Sequence, residues 1–292
     1  MTQLFNRDFS LILGPLEIPA RAPGINPLEA KPTLRARFNV QKSLASNPNN
    51  ADLTLYNLNI PHRSALKEGA ATGIFPLIIK AGYVNTTQEI FVGTVKMAES
   101  SNQGVNWITS IRARDDGNKR WQSARLNKTY AYGTPFLTLL TAAALELGIG
   151  LGNSAIQFAK AKPGRLFFFK KGVTVRGRVV DILDKYIAGA GFTWSIQDGQ
   201  LQILGPAGDD TILGSMVILS KITGLVGTPE YTEEGGVRAR SLLNGLITPG
   251  RRVLIESASV FGQFRVTQST FTGDSWGPEW YTDFEGERVT PI

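Results

Sequence analysis

Few side chains in this sequence could carry covalent or metal chemistry. Among its 292 residues there is one histidine, His62, and no cysteine. That removes disulfides, thiolate metal sites, iron–sulfur clusters and cysteine nucleophiles together. A single histidine cannot build a multi-histidine metal site. As a general base it would need a serine and a carboxylate brought from elsewhere, and neither a G-x-S-x-G nor an H-E-x-x-H spacing is present. Three acidic pairs could supply the two carboxylates of a glycoside hydrolase: Asp181/Asp184, Asp209/Asp210 and Glu233/Glu234. Asp181 has a simpler role as an i,i+4 ion-pair partner of Lys185, and the other two pairs sit in glycine-containing, turn-like stretches.

Two further stretches invite a phosphate or nucleic-acid reading. Gly148-Ile149-Gly150-Leu151-Gly152 is glycine-rich, but it follows a helical pattern and lacks the Lys-Ser/Thr of a phosphate loop, so it reads as a helix terminator. Phe167-Phe168-Phe169 before Lys170-Lys171 could stack bases beside phosphate-binding lysines. A buried strand with a basic end accounts for it more simply. The inventory predicts no catalytic residue, no metal and no cofactor.

The elements that would position any site are mostly strands. Five of the 15 prolines fall within residues 14–32. Proline has no amide donor, so residues 1–33 read as an extended N-terminal arm rather than a central strand. From Leu34 the pattern alternates: Leu34, Ala36, Phe38 and Val40 face one way, and Arg35, Arg37, Asn39 and Gln41 the other. Ser46-Asn47-Pro48-Asn49-Asn50 turns the chain back into Ala51–Tyr56 as a hairpin. A short helix opens at Asn59-Ile60-Pro61 and closes at Gly69. Strands follow at 74–83, 88–98 and 105–114, the last with Arg112 and Arg114 on its polar side. Residues 34–117 therefore read as a first small β-barrel.

Residues 118–205 read as an α/β module. Thr134-Pro135 opens a helix whose Phe136, Leu139, Leu140, Ala143 and Leu147 share a face and which ends at Gly148. A second helix is expected over 176–188, and Asp198-Gly199 joins two short strands as a hairpin. Residues 206–292 return to alternation at 216–220, 237–247, 251–257, 262–271 and 279–285, a second β-barrel. The fold class is mainly β with an α+β insertion, two barrels flanking a small α/β module. No residue-level repeat joins the barrels.

Charge is unevenly placed. Residues 1–130 carry a net +7, 131–205 a net +4 and 206–292 a net −4, against +7 overall. A basic front can mark nucleic-acid binding, but no Lys/Arg run exceeds two residues. No signal peptide is expected from the N-terminus, and no window is apolar for long enough to span a membrane, so no membrane anchor is expected.

Four segments together resemble bacteriophage tail baseplate hub proteins. They are Phe38–Ser43 with Ala51–Leu58, Gly191–Leu204 with its preceding helix, Gly224–Glu230 leading into Gly236–Asn244, and Gly262–Val266 with Gly273-Asp274 and Trp280-Tyr281-Thr282. The resemblance covers residues 34–292 and implies two tail-tube-like barrels per chain. It implies a non-enzymatic, trimeric, pseudo-sixfold hub in the virion tail, made in the host cytoplasm, that joins the tail tube to a spike or tip. The implied partners are further copies of the chain, the tail tube protein, the spike or tip protein and the tape-measure protein, with DNA passing only transiently. In such a ring Arg35, Arg37, Asn39, Gln41, Arg112 and Arg114 would form a subunit interface or lumen face. Two other classes stay open: a tail-associated cell-wall hydrolase, which needs carboxylates across a deep cleft, and a nucleic-acid-binding β-barrel module, which needs a basic groove with exposed aromatics.

Overall fold

A computed structural model describes residues 6–19, 34–115, 121, 123–154, 168–205 and 216–289. The chain divides into two compact units, one built from the first and last thirds of the sequence and the other from the middle.

The first unit begins with strands β1 (Arg7–Leu13) and β2 (Leu16–Pro19), which form a hairpin. They are followed by β3 (Ala36–Ser43), β4 (Asn50–Tyr56), helix α1 (Ile60–Thr72), β5 (Pro76–Tyr83), β6 (Gln88–Gln103) and β7 (Asn106–Arg114). Phe38, Val40, Leu53, Leu55, Ile111 and Ala113 turn inward from β3, β4 and β7 and are buried in one core, as strict alternation requires. The first part of the expected arm is thus sheet: β1 lies along β5 and buries Phe9, Leu11 and Leu13, leaving proline-flanked β2 as the edge. Pro23, Pro27 and Pro32 lie outside the described residues.

Helix α1 runs past its expected stop. Asn59 accepts the His62 amide as N-cap, but the left-handed cap is Gly73 (φ 70°), with Gly69 inside the helix. Glycine is needed at 69 for space, because a Cβ there would overlap the Phe75 ring. Gly69→Ala should therefore destabilise the protein by about 1–3 kcal/mol, despite alanine's better helix propensity. A chemical-denaturation midpoint at or above that of the native protein would contradict this packing argument.

The second unit holds β8 (Arg125–Tyr130), α2 (Phe136–Leu147), β9 (Val173–Arg178), α3 (Val179–Gly189), β10 (Thr193–Gln197) and β11 (Gln200–Leu204). Its own core gathers Leu139, Leu140 and Leu147 of α2 with Ile182, Leu183 and Ile187 of α3 and with Trp194, Ile196, Leu201 and Ile203. Helix α2 stops at Gly148 in the left-handed conformation, but Pro135 rather than Thr134 occupies its N-cap, and no side chain caps it. Helix α3 starts three residues later than its pattern suggests. Arg176–Arg178 pair with Asn127–Arg125 of β8 and complete a strand begun by the β-branched Val173-Thr174-Val175.

The last third returns to the first unit with β12 (Val217–Ser220), β13 (Leu225–Tyr231), β14 (Val237–Leu242), β15 (Arg252–Glu256), β16 (Phe261–Asp274) and β17 (Trp280–Arg288). Their core contains Val237, Ala239, Val253, Ile255, Phe264, Val266 and Phe284. The strands of this unit form a single 13-stranded sheet, and among the described residues it does not close into a barrel. The long strand β16 is the seam: β17 runs along one edge, while the other pairs with β15 through Phe261–Arg265 and with β3 through Gln268–Asp274.

A repeat barely traceable in the residues is plain in the pairing. The antiparallel pairs β3·β4, β4·β7, β7·β6 and β6·β5 recur as β13·β14, β14·β17, β17·β16 and β16·β15, and the series then diverges, with β1 antiparallel to β5 but β12 parallel to β15. The match extends to single residues. The β6·β7 register slips at Lys96, between Val95 and Met97, and the β16·β17 register slips at Thr267, between Val266 and Gln268. Such bulges locally sharpen the twist and fix the register. Asn57 N–H donates to the Trp107 carbonyl, and at the matching place Leu243 N–H donates to the Trp280 carbonyl.

Candidate functional site

Because β3, β4 and β7 are neighbours in register, the polar sides of their alternating patterns must share one face. Gln41 lies opposite Asn50 and Asn50 opposite Arg114, while Asn39 lies opposite Asp52 and Asp52 opposite Arg112. The structure thus brings Arg37, Asn39, Gln41, Arg112 and Arg114 onto one surface, with Arg35 at its margin. The face continues through the seam, with Thr270 opposite Gln41 and Thr272 opposite Asn39. It then reaches Asp283 and Arg240 in one row and Tyr281 in the next.

Acidic partners offset the arginines across this face. The Arg112 guanidinium is 3.5 Å from Asp52, Arg238 is 2.6 Å from Glu285, and Arg240 is 2.6 Å from Asp283. Asn39 donates to Thr272 at 3.2 Å, and Gln41 donates to Asn39 at 3.1 Å. The ion pairs and the Asn39–Thr272 bond cross between strands, Gln41 and Asn39 are neighbours along β3, and each contact is individually weak. Together they make a wall of paired charge, amide and hydroxyl.

At its margin the wall has a buried anchor. The Asp274 side chain is only 1% exposed and receives Arg35 Nη2 at 2.7 Å and Arg37 Nε at 3.0 Å. Its Oδ1 also accepts the Trp276 amide at 3.0 Å. Burial pushes this carboxyl up, but the hydrogen bonds from Arg35 and the Trp276 amide outweigh burial and hold it below the ordinary carboxylate range. Arg35 also lies over the Tyr56 ring, 4.8 Å from its centroid.

The candidates for chemistry disperse. His62 is half-buried on α1. Asp181 takes a two-pronged hydrogen bond from Arg178, whose guanidinium lowers its pKa, so the expected Lys185 pairing gives way to a neighbour three residues earlier. Asp184 accepts Trp194 Nε1 at 2.8 Å. Glu233 and Glu234 are exposed in the β13–β14 turn, and Asp209/Asp210 lie outside the described residues. Gly150 exchanges backbone hydrogen bonds with Gly199 and Leu201, which gives the glycine stretch a packing role. Phe169 is buried against Tyr130, Phe136 and Tyr186, leaving Phe168 exposed and Phe167 outside the described residues. Among the described residues no three histidine, aspartate or glutamate side chains gather as a metal set, and no helix is long and apolar enough to cross a membrane.

Asp274 and the Arg238/Arg240 and Asp283/Glu285 pairs were not singled out from the sequence. The alternating like charges, Arg-x-Arg on one strand and Asp-x-Glu on the other, are the signal that could have found the pairs.

This architecture is that of tail proteins. The 43 kDa tail protein of prophage MuSo2 from Shewanella oneidensis is similar with a TM-score of 0.61 at 10% identity, over 98% of each chain. A tail protein from Neisseria meningitidis MC58 gives 0.58 at 11% identity, over 97% of this chain and 96% of that one. The c3393 protein of E. coli, described as a type VI secretion component structurally similar to the T4 tail proteins gp27 and gp5, gives 0.58 at 11% identity, over 96% of this chain and 77% of its own. A comparison with curated proteins returns no match. The chain belongs to the family described as Baseplate hub gp41, whose model matches residues 28–286.

Proposed function

We infer that the protein is a non-enzymatic structural hub of the virion tail baseplate. Copies of the chain assemble as a ring, a trimer with pseudo-sixfold symmetry in which each chain supplies two tail-tube-like modules. The ring joins the tail tube to the spike or tip and meets the tape-measure protein. The observation that carries this reading is the repeated strand module on one continuous sheet, in a chain of the baseplate hub family. Two equivalent modules per chain turn a threefold assembly into a six-module ring, the arrangement needed to adapt a sixfold tube to a threefold tip.

The polar face carrying Arg37, Asn39, Gln41 and Arg112 is the wall such a ring turns to its lumen or to a neighbouring subunit. Affinity for a polyanion comes from cations that give up counterions to phosphate. Arginines already facing Asp52, Asp274, Asp283 and Glu285 are poorly placed to do so. The wall suits passage of DNA without retention, which also weighs against a nucleic-acid-binding module.

Electron microscopy of the purified protein tests the reading. A threefold ring with a central channel is expected, and a monomer with a basic groove would overturn it. The basic first third and acidic last third should attract one another between copies. Raising salt to 1 M, where screening acts within about 3 Å, should then reduce the assembled fraction seen by light scattering. A ring whose assembly ignores salt would remove charge from the contact.

A further inference from the structure

The internal repeat predicts how one copy meets the next. Within the chain, the two modules join where β3 lies along the outer half of β16, from Gln268 opposite Ser43 to Asp274 opposite Arg37. By the shared bulge, the counterpart of that outer half is Met97–Gln103 of β6, and the counterpart of β3 is β13. Among the described residues both are open: β5 pairs with β6 only as far as Thr94, and β13 pairs only with β14. Resting on the ring reading above, we propose that β13 of one copy adds antiparallel to β6 Met97–Gln103 of the next, repeating between chains the junction that β3 and β16 make within one.

Two observations support this occupant. First, the matching tryptophans have unlike surroundings. Trp280 is 1% exposed and packs edge-on against Phe38 of β3, while Trp107, its counterpart, is 40% exposed and has no matching strand beside it. Second, an open groove of about 600 Å³ runs along this part of β6, bounded by Ala98–Ser101 on one side, by Ile60, Arg63 and Lys67 of α1 on the other, and by Trp107. Because Ala98–Ser101 alternate between the two faces of the sheet, a groove touching all four lies along the strand's edge.

The register is fixed at Glu230, on the C-terminal side of the break that β13 makes between Val226 and Glu230. Asn39 faces Asp52 as Glu230 faces Arg238, and Asp52 faces Arg112 as Arg238 faces Glu285. Arg112 faces Met97 as Glu285 faces Gln268. Thr272 opposite Asn39 therefore becomes Ser101 opposite Glu230 of the neighbour, on the polar face. The wall then continues around the ring, and the open edges that would endanger a monomer are covered. One contact is head-to-tail, so repeating it closes a ring or grows a fibre.

With no native cysteine in the chain, the test is clean. Directly opposed residues in an antiparallel pair are about 4.5–5.5 Å apart at Cα, within disulfide range. Ser101→Cys and Glu230→Cys proteins, mixed under mild oxidation, should form a heterodimeric cross-link that neither makes alone, and the double variant should give covalent closed rings. Ser101→Cys mixed with Tyr231→Cys, whose side chains would face opposite sides, should cross-link at least tenfold less. Rings seen by microscopy that fail to cross-link, or that cross-link equally at position 231, overturn the strand pairing and leave the hub reading standing. A protein that neither forms rings nor cross-links overturns both.

Discussion

Trp280→Ala should cost about 3–5 kcal/mol, the range for removing a large buried aromatic side chain. The indole is 1% exposed and meets Phe38 edge-on with centroids 5.4 Å apart, and Phe38 in turn stacks on Phe9 at 5.5 Å. Its Nε1 donates to the Gly82 carbonyl at 3.1 Å, so truncation also orphans an acceptor. Trp280 begins β17, yet it lies in the core made chiefly by β1, β3, β4 and β5. It therefore ties the last third of the chain into the first. At about 2 °C per kcal/mol for a chain of this size, the thermal midpoint of this unit should fall on the order of 10 °C. Trp107→Ala is the internal control. The same place in the repeat is 40% exposed, with Arg63 stacked 3.7 Å from the ring centroid, and loss of about 1 kcal/mol is expected in the isolated chain. Equal losses by near-UV circular dichroism would refute the claim that only one tryptophan has its partner strand in place.

What the sequence made legible follows from period and range. Alternation at Ala36, Phe38 and Val40 against Arg37, Asn39 and Gln41 states which face is buried, because a half-buried strand has no other way to satisfy its side chains. Thus the polar face was readable strand by strand, and the helices at Phe136 and Ile60 were readable from their spacing and from one end of each, Gly148 and Asn59, while their other ends fall at Pro135 and Gly73. Partner choice between distant strands was not readable. Nothing local in Gln268–Asp274 announces that Ser43–Arg37 will lie beside it, and this one pairing makes two expected β regions a single sheet. Gly69 illustrates the same limit: it looks like a helix stop, but its reason is a ring six residues later in the chain. The repeat left one faint trace, Trp107-Ile108-Thr109 against Trp280-Tyr281-Thr282, at matched positions in β7 and β17. Backbone register conserves the module while its side chains diverge, since any residue of suitable polarity fits a pleat.

Asp274→Asn should lower stability by about 1.5–3 kcal/mol at pH 7, the scale of hydrogen bonds to a charged group. The substitution keeps the shape of the side chain and an oxygen for the Trp276 amide, but removes the charge that Arg35 and Arg37 share at 2.7 and 3.0 Å. Both arginines reach solvent at the margin of the polar face, which keeps the loss below that of a fully buried pair. The sign of the pH dependence follows from the same contacts. Asp274 titrates below its unfolded value, so the unfolded chain binds its proton first. Its contribution is complete above about pH 5 and disappears as pH falls through the folded pKa. The gap between native and Asn proteins in urea midpoint should therefore be wide at pH 7 and close as pH falls through the folded pKa, below which the native carboxyl is also neutral. A gap that persists unchanged at low pH would mean that packing at the Asp274 turn, rather than its charge, joins Arg35 and Arg37 to the end of β16. The seam would then owe nothing to electrostatics.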